Sequence, residues 1–320
     1  MRTLFLVLAF AATLNGEPQD KPMVVLEGEG DAERAPHGKG NVYAPDALWD
    51  GRLFRMWYGG QGKDGHDRIA YAESIDAKKW IRKGVVLKND TANHVNDPSV
   101  VVVKGKYFMY YTRTEKDVVD RIDLAISDDG MKWEPKGVAL AAGLDGAWDA
   151  LSVGRPTVIF HDGLFNMWYD GRKDFPPSAP VKDVPKSDKS QRSVGYATSN
   201  DGLKWERHEV NPVFGQDAGA VDVKLGGDGF IMLYESREGT KFARSKDGIE
   251  WKDGGIFTPK SGATIDSFGH VTPFLFFNPN KNIFRLFVGA ASATTWDHNC
   301  IAVSEIDRDG LNQLLPDPRK

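Results

Sequence analysis

SNDGLKW, residues 199–205, has the composition of a turn: a serine and an aspartate that can bond nearby amides, then a glycine, then a tryptophan. The same punctuation returns as SDDGMKW at 127–133 and SKDGIEW at 245–251, and in degenerate form as SIDAKKW at 74–80. Asp-Gly after a strand supplies a tight hairpin turn, because glycine tolerates positive φ at no steric cost. Each copy follows a short strand-like stretch: RIAYAES, RIDLAIS, SVGYATS and KFARS.

Ahead of each of those stretches lies a longer one with its own turn and an aromatic second strand. These are PDALWDGRLFRMWYGG (45–60), DPSVVVVKGKYFMYYTR (97–113), RPTVIFHDGLFNMWYDGR (155–172) and VDVKLGGDGFIMLYESR (221–237). A fifth, TPFLFFNPNKNIFRLFVGA (272–290), leads into CIAVSE without a following Ser-x-Asp-Gly turn. Every unit reads strand–turn–strand–loop–strand–turn–strand, rich in β-branched and aromatic residues, with no window of helical periodicity. Units of roughly 45–55 residues with four strands each are propeller blades. The expected fold is all-β: a single five-bladed β-propeller of four-stranded antiparallel blades over residues 22–320. The last unit lacks an outer strand, and MVVLEGE (23–29) has the composition to supply it from the other end of the chain, removing an exposed edge. DFPPSAPVKDVPKSDKSQ (174–191) reads as a loop grafted between strands two and three of the third blade. The repeated tryptophans Trp80, Trp133, Trp205 and Trp251 are expected to pack between blades.

The chain has 320 residues with a net charge of −4 and a pI near 6.0, which leaves no basic footprint for nucleic acid. Arg2 followed by the apolar run Leu4–Leu14 and then small and polar residues reads as a signal peptide over about residues 1–16. That run is too short to span a bilayer, and no other stretch is long and apolar enough, so a secreted or periplasmic protein with no membrane span is expected. Cys300 is the single cysteine, which excludes an internal disulfide; it reads as a small buried hydrophobe. A monomer is assumed.

In a propeller the innermost strands line the central channel, so a site is assembled from residues far apart in sequence. The inner strands begin YAPDA, VNDPS, VGRPT, AVDVK and HVTPF. With the prolines superposed, Asp97 precedes its proline, Asp46 follows its own, and Arg155 occupies the Asp97 position. Asp222 falls near the proline position of the fourth blade, and His270 lies three residues before Pro273. Buried charges are costly unless paired or used, so this set points to function. No zinc-peptidase, P-loop, CxxC or serine-hydrolase motif is present.

The NDPS start, the recurring FRMWYGG, FNMWYDG and YFMYYTR strands and the five-blade count resemble the five-bladed glycosidases. That group includes arabinanases, β-xylosidases, invertases and levansucrases, with mannoside phosphorylases as relatives. The resemblance implies a carbohydrate substrate and a glycosidic bond as the target. It implies Asp46 as general base or nucleophile and Asp97 as the residue that orients the sugar and tunes the pKa values. Where the group has an acid at the start of blade three, this chain has Gly154-Arg155-Pro156, so Glu235, Asp149 and Asp222 are candidate acids. Asp149 stands next to Trp148, whose apolar face could raise a carboxyl pKa. Arg113, Arg155, Arg172 and Arg237 are candidate sugar- or anion-binding groups, with Asp170 beside them on the rim, and Trp148 and Trp296 are candidate stacking surfaces. His270 matches a channel histidine that, in arabinanases, helps hold a metal ion through water; a single calcium ion is the only cofactor the resemblance suggests, and none is required. A phosphorylase and a non-catalytic sugar-binding propeller are the alternatives.

Overall fold

The second strand of each repeat is apolar on both of its faces. In the first repeat Met56 and Tyr58 point one way and Trp57 the other, and all three are fully buried. A strand of that kind has to lie between two other sheets. Five repeats satisfy the demand by closing into a ring in which every blade is covered by its neighbours.

The computed structural model describes residues 22–115, 119–179, 182–226, 229–278 and 283–306. The proposed leader and the closing DRDGLNQLLPDPRK lie outside the described residues. The first strand, β1 (Met23–Leu26), precedes the blades. Blade one is β2 (Val42–Trp49), β3 (Phe54–Gln61), β4 (Asp67–Ser74) and β5 (Ile81–Leu87). Blade two is β6 (His94–Val103), β7 (Lys106–Thr114), β8 (Asp120–Ser127) and β9 (Glu134–Leu140). Blade three is β10 (Ser152–His161), β11 (Leu164–Arg172), β12 (Ser193–Ser199) and the short β13 (Glu206–Arg207). Blade four is β14 (Asp222–Gly226), β15 (Gly229–Ser236), β16 (Gly239–Ser245) and β17 (Trp251–Pro259). Blade five has β18 (Gly269–Asn278), β19 (Ile283–Ala291) and β20 (Asn299–Ile306).

The fourth strand of blade five is β1, antiparallel to β20 with Met23 opposite Val303 and Leu26 opposite Ile301. The expected closure by residues 23–29 is what the chain does. Behind it, Asn299 Nδ2 donates to Asn41 Oδ1 at 2.8 Å, and the His37 and His298 rings meet edge to face at 4.2 Å. The core is five separate layers, one per blade–blade interface. Phe54, Met56 and Tyr58 of blade one pack against Phe274 and Phe287 of blade five, while Trp57 and Tyr71 pack against Met109 and Tyr111 of blade two.

The repeated turn is the latch between blades. Ser199 Oγ accepts the Gly202 N–H at 2.9 Å, and Asp201 Oδ1 accepts the N–H groups of Leu203 and Lys204 at 2.8 and 2.9 Å. With its amides used locally, the turn presents the Gly202 carbonyl to the preceding blade, where the Tyr110 hydroxyl donates to it at 2.7 Å. Trp57 Nε1 reaches Gly130 in the same way at 2.8 Å, and Trp168 Nε1 reaches Gly248 at 2.7 Å. Gly202 sits at φ +75°, and a Cβ there would stand 2.8 Å from the Tyr110 hydroxyl oxygen. The degenerate copy puts Ala77 at φ +54° and offers the Asp76 carbonyl to buried Arg285 of blade five instead of to an aromatic donor.

Candidate active site at the channel mouth

Four of the five inner strands enter the channel with one shared break in register. Pairing shifts between Tyr43 and Asp46, Asn96 and Ser99, Gly154 and Thr157, and Val271 and Phe274. At each break one residue turns left-handed: Ala44, Asp97, Arg155 and Thr272, at φ of 51°, 51°, 46° and 45°, with Ala220 at 50° in the matching place ahead of β14. Such a backbone costs on the order of 1–3 kcal/mol for a residue other than glycine and persists where its surroundings over-determine it. Here the neighbouring blade does so. The strained N–H of Ala44 donates to Thr272 Oγ1 at 2.8 Å, that of Arg155 to Thr112 Oγ1 at 2.7 Å, that of Ala220 to Asp170 Oδ2 at 2.9 Å, and that of Thr272 to Glu235 Oε2 at 3.3 Å.

Two residues after the strained position in blades one to four stands a side chain that ties its blade to the next. Asp46 Oδ2 accepts the Val100 N–H at 3.0 Å, Ser99 Oγ that of Val158 at 2.9 Å, Thr157 Oγ1 that of Val223 at 3.3 Å, and Asp222 Oδ2 that of Leu275 at 2.8 Å. Asp46 and Asp222 therefore occupy positions where a hydroxyl does the same structural work. Burial drives Asp46 up to about 7, against the pull of Lys224, and burial likewise raises Asp222, although Lys224 Nζ donates to it at 2.6 Å. Because the folded chain holds a proton on Asp46 that the unfolded chain has released, this group's contribution to stability falls as pH rises from about 4 to 7. Asp46→Thr is expected to keep the tie to Val100 and to melt less far below its pH 5 value at pH 8 than the native protein does. Thermal melts of both proteins at the two pH values check this; loss of the folded state would overturn it.

Asp97 is placed differently. It holds the strained position itself, ties no neighbouring blade among the described residues, and takes a hydrogen bond from the Thr112 hydroxyl. Its carboxyl lines a cavity of about 40 Å³ together with Asp46, Asp222, Arg155 and Thr272, room for a few waters or one small substituent. Burial raises it to about 7, the attraction of Arg155 and the Thr112 bond opposing and the charges of Asp170 and Asp120 assisting.

Around the mouth runs a chain of alternating charge. Arg155 Nε and Nη2 grip Asp170 at 2.6 and 2.7 Å, Arg192 Nη1 lies 3.9 Å from Asp170, and Arg192 is paired in turn with Glu235. Asp170 is 0% exposed; burial opposes its ionisation, but Arg155 and Arg192 hold it below the ordinary carboxylate range. Arg172, two residues along β11, stacks on Phe175 at 5.0 Å.

Of the candidates read from the sequence, the structure brings Asp46, Asp97, Asp222 and Arg155 into one cavity, sets Asp170 and Glu235 at its edge through their bonds to Ala220 and Thr272, and places Arg172 two residues beyond Asp170, opposite Ser152. The others lie elsewhere. Asp149 is buried between the Tyr169 hydroxyl at 3.2 Å and Arg207 Nε at 3.1 Å. Blade one repeats that clamp with Glu33, Tyr58 and Arg82 at 2.6 and 3.3 Å, so it belongs to the blade's architecture. Trp148 stacks on Tyr169 over the bare backbones of Gly171 and Gly195, in the blade-three packing layer. Arg113 is held by Asp123 at 2.7 Å and by Glu115. Arg237 is exposed and lies over Phe268, which meets Trp296 at 4.4 Å on the blade-five rim. His270 is buried with Nδ1 against Thr240 at 3.0 Å and Nε2 against Asp266 at 3.3 Å. Its imidazole offers neither nitrogen to the cavity, so it does not fit a channel cation. Arg192, Lys224 and Thr112 were not singled out by the sequence reading. Arg192 follows the blade-three insertion, where no repeat pattern marks it.

No family profile and no curated protein sequence matches the chain. Solved structures do. A glycoside hydrolase superposes with a TM-score of 0.73 at 20% identity, over 90% of this chain and 91% of its own. Zg3597, a family 117 glycoside hydrolase from the marine bacterium Zobellia galactanivorans, gives 0.66 at 17% over 92% and 91%. A protein from the GH130 family of mannoside phosphorylases, which contains glycoside hydrolases that target β-1,2 mannosidic linkages in Candida mannan, gives 0.64 at 19% over 91% and 93%. At these identities the likeness is one of fold.

Proposed function

We propose that this chain is a carbohydrate-active enzyme that cleaves a glycosidic bond at the channel mouth, with Asp97 and Asp46 as its working carboxyls. The observation that carries the reading is that both line one cavity and both are lifted by burial to about 7. Glycoside cleavage needs one carboxyl protonated to help the leaving oxygen depart and one ionised to activate water or attack the sugar. Two groups titrating near 7 populate that mixed state at neutral pH. Asp97, on the strained position and free of structural ties between blades, is the residue we place at the reacting centre; Asp46 is its partner, and Glu235 and Asp222 hold their neighbours in place. The leader read at residues 1–16 supports a secreted or periplasmic location.

The test is to express residues 22–320 and measure sugar release from plant, algal and fructan oligosaccharides and from mannans. Release with a narrow pH optimum near neutrality is expected; sugar binding with no release from any substrate would make this a non-catalytic sugar-binding propeller. The clustering of Arg155, Arg172 and Arg192 favours a second reading, phosphorolysis. It requires cleavage to depend on added phosphate and to yield a sugar phosphate.

A further inference from the structure

Blade three carries three arginines around the mouth, Arg155, Arg172 and Arg192; blade four shares the second, since Arg237 follows Ser236 as Arg172 follows Gly171 and also lies over a phenylalanine, but Arg237 is exposed. At the strained position, blades one, two, four and five have Ala44, Asp97, Ala220 and Thr272, and blade three has Arg155. At the end of the second strand, blades one and two pair Gln61 with Asp67 and Thr114 with Asp120. The same step in blade three sets Arg172 across from Arg192, since Gly171 pairs with Ser193. Like charges facing one another across a strand pair are destabilising. The fold relieves only part of this: Arg155 has Asp170, and Arg192 has Glu235 and Asp170. Arg172 has only the face of Phe175, with no carboxylate within ion-pair distance among the described residues. Burial and the charges of Arg155 and Arg192 hold its guanidinium below the usual value, so the cation stands where the protein itself disfavours one. An uncompensated guanidinium beside two others is a planar fork for an oxyanion, and its register partner Ser152 stands three residues before Arg155, which lines the cavity that holds Asp97.

We propose that Arg172, backed by Arg192, is an oxyanion subsite that selects an acidic sugar, a unit carrying a carboxylate or a sulfate ester, next to the bond to be cleaved. This rests on the glycosidase reading for the sugar and on the arginines for the charge. The anion would give Arg172, which stands outside the series Asp97, Arg155, Asp170, Arg192, Glu235, the counter-charge it lacks.

The test measures binding, so it does not depend on turnover. Titrating native protein with glucuronate, galacturonate and galactose 6-sulfate, beside glucose and galactose, is expected to favour the anions by roughly ten- to a hundredfold. Raising salt narrows the gap. In Arg172→Gln the preference falls to within about twofold, and Arg172→Lys restores only part of it because the bidentate fork is gone. Equal affinity for acidic and neutral sugars in the native protein, or a preference that survives Arg172→Gln, overturns the subsite. Binding of inorganic phosphate that is lost in Arg172→Gln, together with phosphate-dependent cleavage, also overturns it, since the occupant is then a co-substrate. Acid-sugar binding through Arg172 without cleavage of any glycan leaves the subsite standing and removes the glycosidase reading. Cleavage of neutral glycans with no acidic preference does the reverse.

Discussion

Asp97→Asn is expected to lower glycan cleavage by about 10²- to 10⁴-fold, the usual contribution of a positioned proton-transfer group, while leaving the propeller folded. Asparagine is among the few residues that accept a left-handed backbone, so φ +51° is no obstacle. Its amide oxygen can take the hydrogen bond from Thr112. The substitution also removes a stability term whose sign is fixed by the shift. Asp97 has a folded pKa of about 7 against 3.8 for an ordinary aspartate, so the native state binds the extra proton and its stability falls as pH rises from about 4 to 7. The asparagine variant lacks that slope and is expected to melt no lower than the native protein at pH 8. Rates measured beside melting temperatures separate chemistry from folding: a folded variant that keeps its rate would remove Asp97 from the reacting centre.

The largest expected loss of stability belongs to Asp170→Ala. Asp170 is 0% exposed, receives both arms of Arg155 at 2.6 and 2.7 Å, and takes the Ala220 N–H at 2.9 Å. Truncating it leaves one guanidinium buried without its partner and one strained N–H without an acceptor. Breaking a buried pair from one side costs about 3–5 kcal/mol, which for a chain of this size lowers the melting temperature by on the order of 10 °C. Asp170→Asn, which can still accept one bond from Arg155, is expected to lose less. The folded-state pKa of Asp170 is lowered, so its contribution is present above the ordinary carboxylate pKa and is lost as pH falls through the lowered value. Native and alanine proteins should therefore converge in strong acid. Melting within about 2 °C of native at pH 7 would show that the pair carries no net stability.

The blade count, the closing strand and the channel cavity were legible because they depend on periodicity, which a repeat displays several times over. Superposing the prolines matched Arg155 with Asp97, as the structure does. The same superposition makes Ala44 the counterpart of Asp97 and Ser99 that of Asp46, so the two aspartates stand on opposite sides of the bulge. A period-two argument cannot be carried across a bulge. Asp149 drew notice through its neighbour Trp148, yet its equivalence to Glu33 lies in connecting segments whose sequences share no pattern. The isolation of Arg172 is a property of three strands meeting in space, and its meaning depends on partners that other arginines have and it lacks.

The closing strand also sets an order in time. Met23–Leu26 pairs with β20, so the first of the described strands to be made waits for the last of them before it has a partner. Until then Leu26, 2% exposed in the finished protein, has no layer to enter, and the inner face of blade one lacks the cover of Phe274 and Phe287. Blades two to four can assemble on neighbours already at hand, but the ring is sealed by the contact of longest sequence separation, the kind that forms slowly. A ribosome-bound chain stalled before β20 should therefore be a sticky, open arc. Its exposed edge would be relieved in one late step when the two ends meet.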